Sequence, residues 1–522
     1  MNAKFKPLLL ATEIRNPARF TDFLESLSVH DGKILNKETI KDVYLDLFSK
    51  GIYRPTRFET PEFKESIKEK WNSGELLTSD ESEKLYRLNP QRHGQKGFDY
   101  GWCSRWKTHY FIFKRLGFID FTYQHDLTEP SRSTDIENYE RYRKNSIPIT
   151  FTDIGKRFIE TDNEFEKTAL YINGFVKMHR SFLTKDLNKN VPLTLLLRTL
   201  KLLMEEHDKG ISNDELLIWS HWKNNNEEEL FESIQIFRSR YGSNPSFEQI
   251  EEYCRNEVQE GDISRDLRGS GIVDNYKRYL HLTGLFTIRG AGRYLSLSKD
   301  SNKVIDYLIN NYSNFIEFND EREYLNYLQE IDEEIVNLVI SQEIFQPQRD
   351  YKLNELFEKF GKETIEYELR NIINYSDRSR NEELRTIVDW KRLEFLSSLF
   401  LFSKFPDAEV KPNYIPDDEG IISEVAPGGL GDIVVEIDNE NATLYEVTTK
   451  RGTAAQHQTV TATVRHLIEL KEDFPNAKAK IIAPVIHDDT LYNVDFACLH
   501  TRNDLKLGDI EALTIDEFIS NA

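Results

Sequence analysis

The sequence predicts a multidomain protein: a mainly α N-terminal half with winged-helix-like elements, a helical linker and a C-terminal α/β domain. Three observations lead there. At 522 residues the chain exceeds one ordinary domain, and roughly 150 residues per domain suggests about three. Helical spacing of apolar residues dominates the chain up to residue 384. Beyond residue 385 the pattern becomes helix, strand, strand, helix, strand, the order of a mixed sheet covered by helices.

Composition sets the outer bounds. A hydrophobic fraction of 39% with 12% aromatics supplies real cores, so disorder is not the expectation. No apolar run reaches the roughly 20 residues of a membrane span. The opening MNAKFKPLLLATEIRNPARF runs straight into charge without a small-residue cleavage site, which reads as no signal peptide. Cys103, Cys254 and Cys498 are scattered, with neither metal-ligand spacing nor a disulfide framework. The expectation is a soluble, intracellular protein with reduced thiols and no membrane contact. The net charge of −21 weighs against nucleic acid. Binding depends on a local basic face, however, and the acids crowd into stretches such as NNNEEELFES.

Residues 1–150 form the first expected unit. KETIKDVYLDLFSKGIYRP has helical spacing and stops at a Gly followed by a Pro. The most basic and aromatic stretch follows, NPQRHGQKGFDYGWCSRWKTHYFIFKRLGFIDF. Between Arg92 and Arg115 it sets Arg92, Lys96, Arg105, Lys107, Lys114 and Arg115 against one acid, Asp99. Glycines at 94, 97 and 101 allow close backbone approach, and bases there suit phosphate contacts. The same pattern fits an amphipathic helix with core aromatics and a solvated basic face.

Residues 151–300 form the second expected unit. ITFTDIGKRFIE reads as a strand end, Thr152 as N-cap and a helix. DNYKRYLHLTGLFTIRGAGRYLSLS, residues 274–298, reads as a helix with Lys277 and Arg278, then a hairpin with Arg289 and Arg293 at its tip. That is the plan of a winged helix-turn-helix, and equally of an ordinary helix–hairpin unit. Residues 301–384 are acidic and helical, a connector.

Residues 385–522 carry the chemistry. The strands GDIVVEI and TLYEVTT flank the turn DNENA, and Asp432 and Glu446 sit within otherwise apolar strands. Acids at strand mouths are often only capped or paired. Held on neighbouring strands, however, two carboxylates suit a hard divalent cation such as Mg²⁺. Helix, strand, strand, helix, strand with these acids is the core order of PD-(D/E)xK nucleases. The letters depart from the motif: Gly431-Asp432 replaces Pro-Asp, and Glu446-Val447-Thr448 is followed by Lys450. Glu394 in RLEF offers a third carboxylate or a helix-face ion pair with Lys391 or Arg392. PGGLGD supplies glycines for approach to a phosphate or for a turn, and Gln456 and Gln458 orient water or cap a helix.

The runs WKRLEFLSSLFLF, GGLGDIVVEI, LYEVTTKRG and a Gln-bearing helix with VRH resemble the AlwI-like family of type IIS restriction endonucleases, which includes natural nicking enzymes. TEIRNPARFTDFLESLS and SRWKTHYFIFKRLGFID are similar to that family's N-terminal half. The resemblance implies a sequence-recognition half, a helical linker and a cleavage domain of PD-(D/E)xK type that cuts a fixed distance to one side of a short asymmetric site. It implies Glu394, Asp432 and Glu446 as metal-binding acids and the Val447 carbonyl as a further ligand, with Mg²⁺ as the metal and Mn²⁺ as a substitute. Where related sequences carry a further glutamate, this one has Gln456, Gln458 and threonines, leaving Lys450 or a glutamine to orient the attacking water. The expected partner is double-stranded DNA, contacted by Arg92, Lys96, Arg105, Lys107, Lys277, Arg278, Arg289 and Arg293. Double-strand cutting needs a second cleavage domain, from a transient homodimer or a partner subunit, and a companion DNA methyltransferase is expected. The competing readings are a strand-specific nicking subunit, a non-catalytic winged-helix regulator with a degenerate nuclease domain, and a helical interaction protein.

Overall fold

In a computed structural model of the chain, the described residues are 5, 7–8, 10, 14, 19–91, 102–121, 148–180, 187–206, 210–242, 245–258, 272–344, 350–373, 379–426, 430–500 and 505–521. Arg92 and Lys96 lie outside them, as do residues 427–429 of the glycine loop. The chain divides into two compact units. One comprises Met1–Thr287 and Ser296–Gln346, the other Ile288–Leu295 and Pro347–Ala522.

The first unit is built of helices whose starts are written in the sequence. Asn36, Thr60, Thr78, Thr152 and Asn226 each cap a helix by accepting a backbone N–H, the geometry that short polar side chains favour at N-caps. Thr78 and Glu81 complete a reciprocal capping box. Trp102–Arg115 is a helix, and its aromatics Trp102, Trp106, Tyr110 and Phe113 are buried. Of its bases, Lys114 is buried and bound to the Phe121 carbonyl at 2.8 Å, with Asp120 3.1 Å and Glu321 3.0 Å away. The aromatics of this stretch are therefore core, and Lys114 holds the fold together.

Helix Ile272–His281 runs into strands Phe286–Arg289 and Tyr294–Leu297. Gly290, Ala291 and Gly292 in the turn all have positive φ. That is the expected helix-then-hairpin order, and residues 288–295 group with the second unit.

The second unit is an α/β domain. Its five-stranded sheet runs Ile510–Thr514, Lys478–Ala483, Ala442–Val447, Ile433–Glu436, Glu409–Pro412 in space. Ala442–Val447 is antiparallel to Ile433–Glu436, with Tyr445 opposite Ile433. It is parallel to Lys478–Ala483, with Glu446 opposite Ile481. The parallel crossover carries helix Thr453–Asp473, as a parallel connection requires.

Side chains alternate across the sheet and build two cores. On one face Ile433, Val435, Tyr445 and Ile482 pack with Leu396, Phe400 and Phe518. On the other, Leu444 and Ile481 pack with Val460, Leu467 and Val494. Helix Asp389–Lys404 contributes an almost continuous buried run, residues 392–401, so it lies inside the domain. Glu394 is carried within that run.

Candidate functional site

Three carboxylates meet at one end of the antiparallel strand pair, each brought by a different element. Asp432 precedes strand Ile433–Glu436, where Asn413 fixes the backbone: its N–H donates to the Asp432 carbonyl at 2.9 Å and its side-chain amide to the Gly431 carbonyl at 2.7 Å. Glu446 is the fifth residue of the next strand. Glu394 comes from the helix in front. Gly431 lets the chain pass close to its neighbour: a Cβ there would stand 2.1 Å from Leu444 Cδ1 and 3.2 Å from Glu446 Oε1, so that both side chains would have to shift.

Each acid is held by a different donor. Asp432 Oδ2 accepts the Val447 N–H at 2.8 Å, and Glu394 Oε1 accepts the Ala426 N–H at 3.2 Å. Glu446 Oε1 lies 2.5 Å from His466 Nδ1, on helix Thr453–Asp473. The far ring nitrogen, Nε2, faces the Arg465 guanidinium at 3.0 Å. A guanidinium only donates, so Nε2 is the acceptor. The proton therefore sits on Nδ1 and is donated to Glu446 Oε1.

Among the described residues, no lysine or arginine forms an ion pair with Asp432, Glu446 or Glu394. Burial accordingly pushes the Glu394 carboxyl up to about 8, with the Glu446 charge adding and Lys391 opposing. Burial also drives Asp432 well above the usual carboxylate range, helped by Glu446 and Glu394. Fixed acids with no counter-charge are costly to a fold, and perturbed titrating groups of this kind mark functional sites.

The donors are hard oxygens, which suits Mg²⁺ or Mn²⁺. Among the described residues no three His, Cys, Asp or Glu side chains form a ready-made cage. Glu446 meets His466, and its charge disfavours ionisation of Asp432 beside it; a divalent cation would relieve that repulsion.

The other expected residues fall in different places. Lys450 lies beyond the end of the Glu446 strand, exposed, with no ion pair among the described residues. Gln456 is 1% exposed, and every polar atom of its amide is spent. Its nitrogen donates to the Lys450 and Val485 carbonyls at 3.2 and 2.6 Å, and its oxygen accepts from Thr490 at 2.6 Å. Gln458 is exposed two residues further along the helix. Arg289 is engaged by Glu419 at 2.8 Å, Arg278 by Asp274 at 2.8 Å, and Arg105 by Gln91 at 2.7 Å. Arg293 stands over the Tyr294 ring. Lys277 lies in helix Ile272–His281 and Lys107 in helix Trp102–Arg115, both in the first unit. His466, Asn413 and Ala426 complete the site, and only His466, in VRH, left a sign in the sequence.

Comparison with known proteins adds an independent line. No curated protein matches the chain. A solved structure, the small subunit of the heterodimeric restriction endonuclease R.BspD6I, aligns with a TM-score of 0.23 at 22% identity, covering 28% of this chain and 74% of that one. So low a score carries no argument. The model of the AlwI restriction endonuclease family matches residues 139–348, upstream of the three carboxylates. The chain is thus similar to the AlwI restriction endonuclease family over residues 139–348.

Proposed function

We propose that the protein is a type IIS site-specific endonuclease that binds a short asymmetric duplex DNA sequence and hydrolyses a phosphodiester bond a fixed distance outside it. The observation that carries this reading is the trio Asp432, Glu446 and Glu394, buried or nearly so and without a lysine or arginine partner. Helix Asp389–Lys404, strands Ile433–Glu436 and Ala442–Val447, helix Thr453–Asp473 and strand Lys478–Ala483 carry or flank it, with strand Glu409–Pro412 added at the sheet edge, and we read this arrangement as a PD-(D/E)xK core.

The three acids and the Val447 carbonyl would hold Mg²⁺, or Mn²⁺ in its place. The bound ion would supply an activated water and charge stabilisation at the scissile phosphate. The protein's own share is orientation. His466 fixes Glu446, the Val447 N–H fixes Asp432, and the Ala426 N–H fixes Glu394. Lys450, exposed just past the Glu446 strand, supplies a cation for a phosphate oxygen or for the water. The family match in residues 139–348 supports a recognition role for the N-terminal part. There Lys277, Arg278 and the bases of the 92–107 stretch are the proposed DNA contacts, with Arg289 and Arg293 at the hairpin tip. No helix among the described residues is long and apolar enough to cross a membrane, in keeping with a cytoplasmic enzyme.

One carboxylate site per chain cuts one strand. Nicking is therefore the basal activity, and double-strand cutting requires a second cleavage domain from a homodimer or a partner subunit. A DNA methyltransferase protecting the same sequence completes the system.

The test is supercoiled plasmid incubated with wild type and Asp432→Ala, in Mg²⁺ or EDTA, with run-off sequencing of the ends. Mg²⁺-dependent ends at a constant offset from one short sequence, absent in the variant, are expected. Binding without any cleavage would instead make the protein a winged-helix regulator with a degenerate nuclease domain.

A further inference from the structure

The chain has six tryptophans, and five are packed away: Trp71, Trp102, Trp106, Trp219 and Trp222 are 8% exposed or less. Trp390 is 48% exposed. It stands at the second position of helix Asp389–Lys404, four residues before Glu394. Residues four apart share a helix face, and a helical side chain lies over the turn preceding its own Cα. The indole therefore extends outward, toward the helix start, from the face that carries Glu394 inward.

Its setting is not that of a stray surface residue. Val388, just before the helix, is 51% exposed, and Leu430, two residues before Asp432, is 54% exposed. Large apolar side chains thus stand exposed on both the Glu394 and the Asp432 segments. The indole is also steadied. The Lys391 ammonium lies over its ring, 5.4 Å from the centroid, and is itself tied to the Ser423 carbonyl. A ring held in this way, with half its area open to water, loses little conformational entropy when a flat partner stacks on it.

We propose that Trp390 is a stacking platform for a nucleobase adjoining the phosphate that is cut, with Val388 and Leu430 completing an apolar rim against the neighbouring sugars. The inference rests on the nuclease reading and deepens it. It names the part of the substrate that the rim holds and explains how a strand is fixed where no base sequence is read. Every base has a π-face, so stacking tolerates any sequence. That is the property a cut outside the recognised site demands.

The experiment uses the full chain, with a short synthetic duplex spanning the cut mapped by run-off sequencing. Ca²⁺ replaces Mg²⁺ to hold the substrate uncut. 2-Aminopurine is placed beside the scissile phosphate, and indole emission is followed in parallel. The expected result is a change in 2-aminopurine fluorescence and protection of the one exposed indole from acrylamide. Both should be absent in Trp390→Ala. In Mg²⁺, Trp390→Ala should cleave on the order of 10-fold more slowly, and Trp390→Phe should recover most of the rate. An unchanged melting temperature excludes loss of folding as the cause. If Trp390→Ala cleaves at the wild-type rate and gives the wild-type 2-aminopurine signal, the platform is refuted while the nuclease stands. If wild type cuts nothing, the nuclease reading falls and takes the platform with it.

Discussion

His466 Nδ1 stands 2.5 Å from Glu446 Oε1, with its other ring nitrogen facing Arg465. This contact fixes both the tautomer of the ring and the direction of the carboxylate. A donor behind a metal-binding acid commonly contributes 10- to 100-fold to affinity or activity. His466→Ala is therefore expected to lower cleavage by roughly that factor and to raise the Mg²⁺ concentration needed for half-maximal rate. DNA binding in Ca²⁺, read by fluorescence anisotropy, should be unchanged. Wild-type cleavage at limiting Mg²⁺ would show that Glu446 needs no such support.

Asp432 and Glu394 suggest a trade between stability and activity. Both carboxyls are driven upward by burial and by the neighbouring acids, so ionising them costs the folded state. Asp432→Asn keeps an oxygen to accept the Val447 N–H and cannot ionise. It should abolish cleavage and, in EDTA, raise stability by about 1 kcal/mol, a usual size for relieving strain at a functional site. Mg²⁺ should stabilise wild type and leave the variant unmoved. Scanning calorimetry with and without metal reads all three. A melting point for Asp432→Asn well below wild type in EDTA would mean that the charge is satisfied within the fold.

Asp432 and Glu446 were legible because an acid inside an apolar strand interrupts an otherwise buried pattern. The Thr152 cap was legible for the same local reason, whereas strand Glu409–Pro412, which joins the sheet beside Ile433–Glu436, was not expected between helix Asp389–Lys404 and the hairpin. What the sequence hid depends on partners far along the chain. Lys114 belongs to a run that looks like a solvated basic face, yet Asp120 and Glu321 draw it inside. Arg289 looks like a free hairpin tip until Glu419, 130 residues later, engages it. Gln456 looks like a water-orienting group, but its amide is consumed by Lys450, Val485 and Thr490. Charge and polarity are local properties, whereas pairing is a property of the fold.

Gln456 accordingly separates from Gln458 in experiment. Gln456→Ala would strand the buried Thr490 hydroxyl and two carbonyls. At about 1 to 3 kcal/mol for each unsatisfied buried group, part of it regained by water, the expected loss is roughly 3 kcal/mol. Gln458 is exposed, and Gln458→Ala should stay within about 0.5 kcal/mol of wild type. Urea unfolding of both variants decides the matter. Equal stabilities would overturn the assignment of Gln456 as the staple between the post-strand loop and helix Asp488–His500.

Acid should destabilise the first unit through its buried histidines. His109, His179 and His221 are buried, and burial lowers them to about 3, about 4 and about 4. In the unfolded chain each titrates near 6.5. Their folded values lie below the unfolded one, so the unfolded state binds more protons as pH falls. Stability is therefore intact above about 6.5 and is lost progressively as pH drops toward 4. Each neutral ring accounts for roughly 3 kcal/mol or more across that window. His109 shows why neutrality is enforced: its Nδ1 meets the Tyr44 hydroxyl at 2.9 Å, its Nε2 is buried without a partner among the described residues, and the Arg105 charge opposes protonation. His109→Gln keeps a neutral polar group at every pH. Melting temperature followed from pH 7 to pH 4 should fall less steeply in the variant than in wild type, whatever its absolute value. Parallel curves would mean that the acid lability of the unit lies elsewhere.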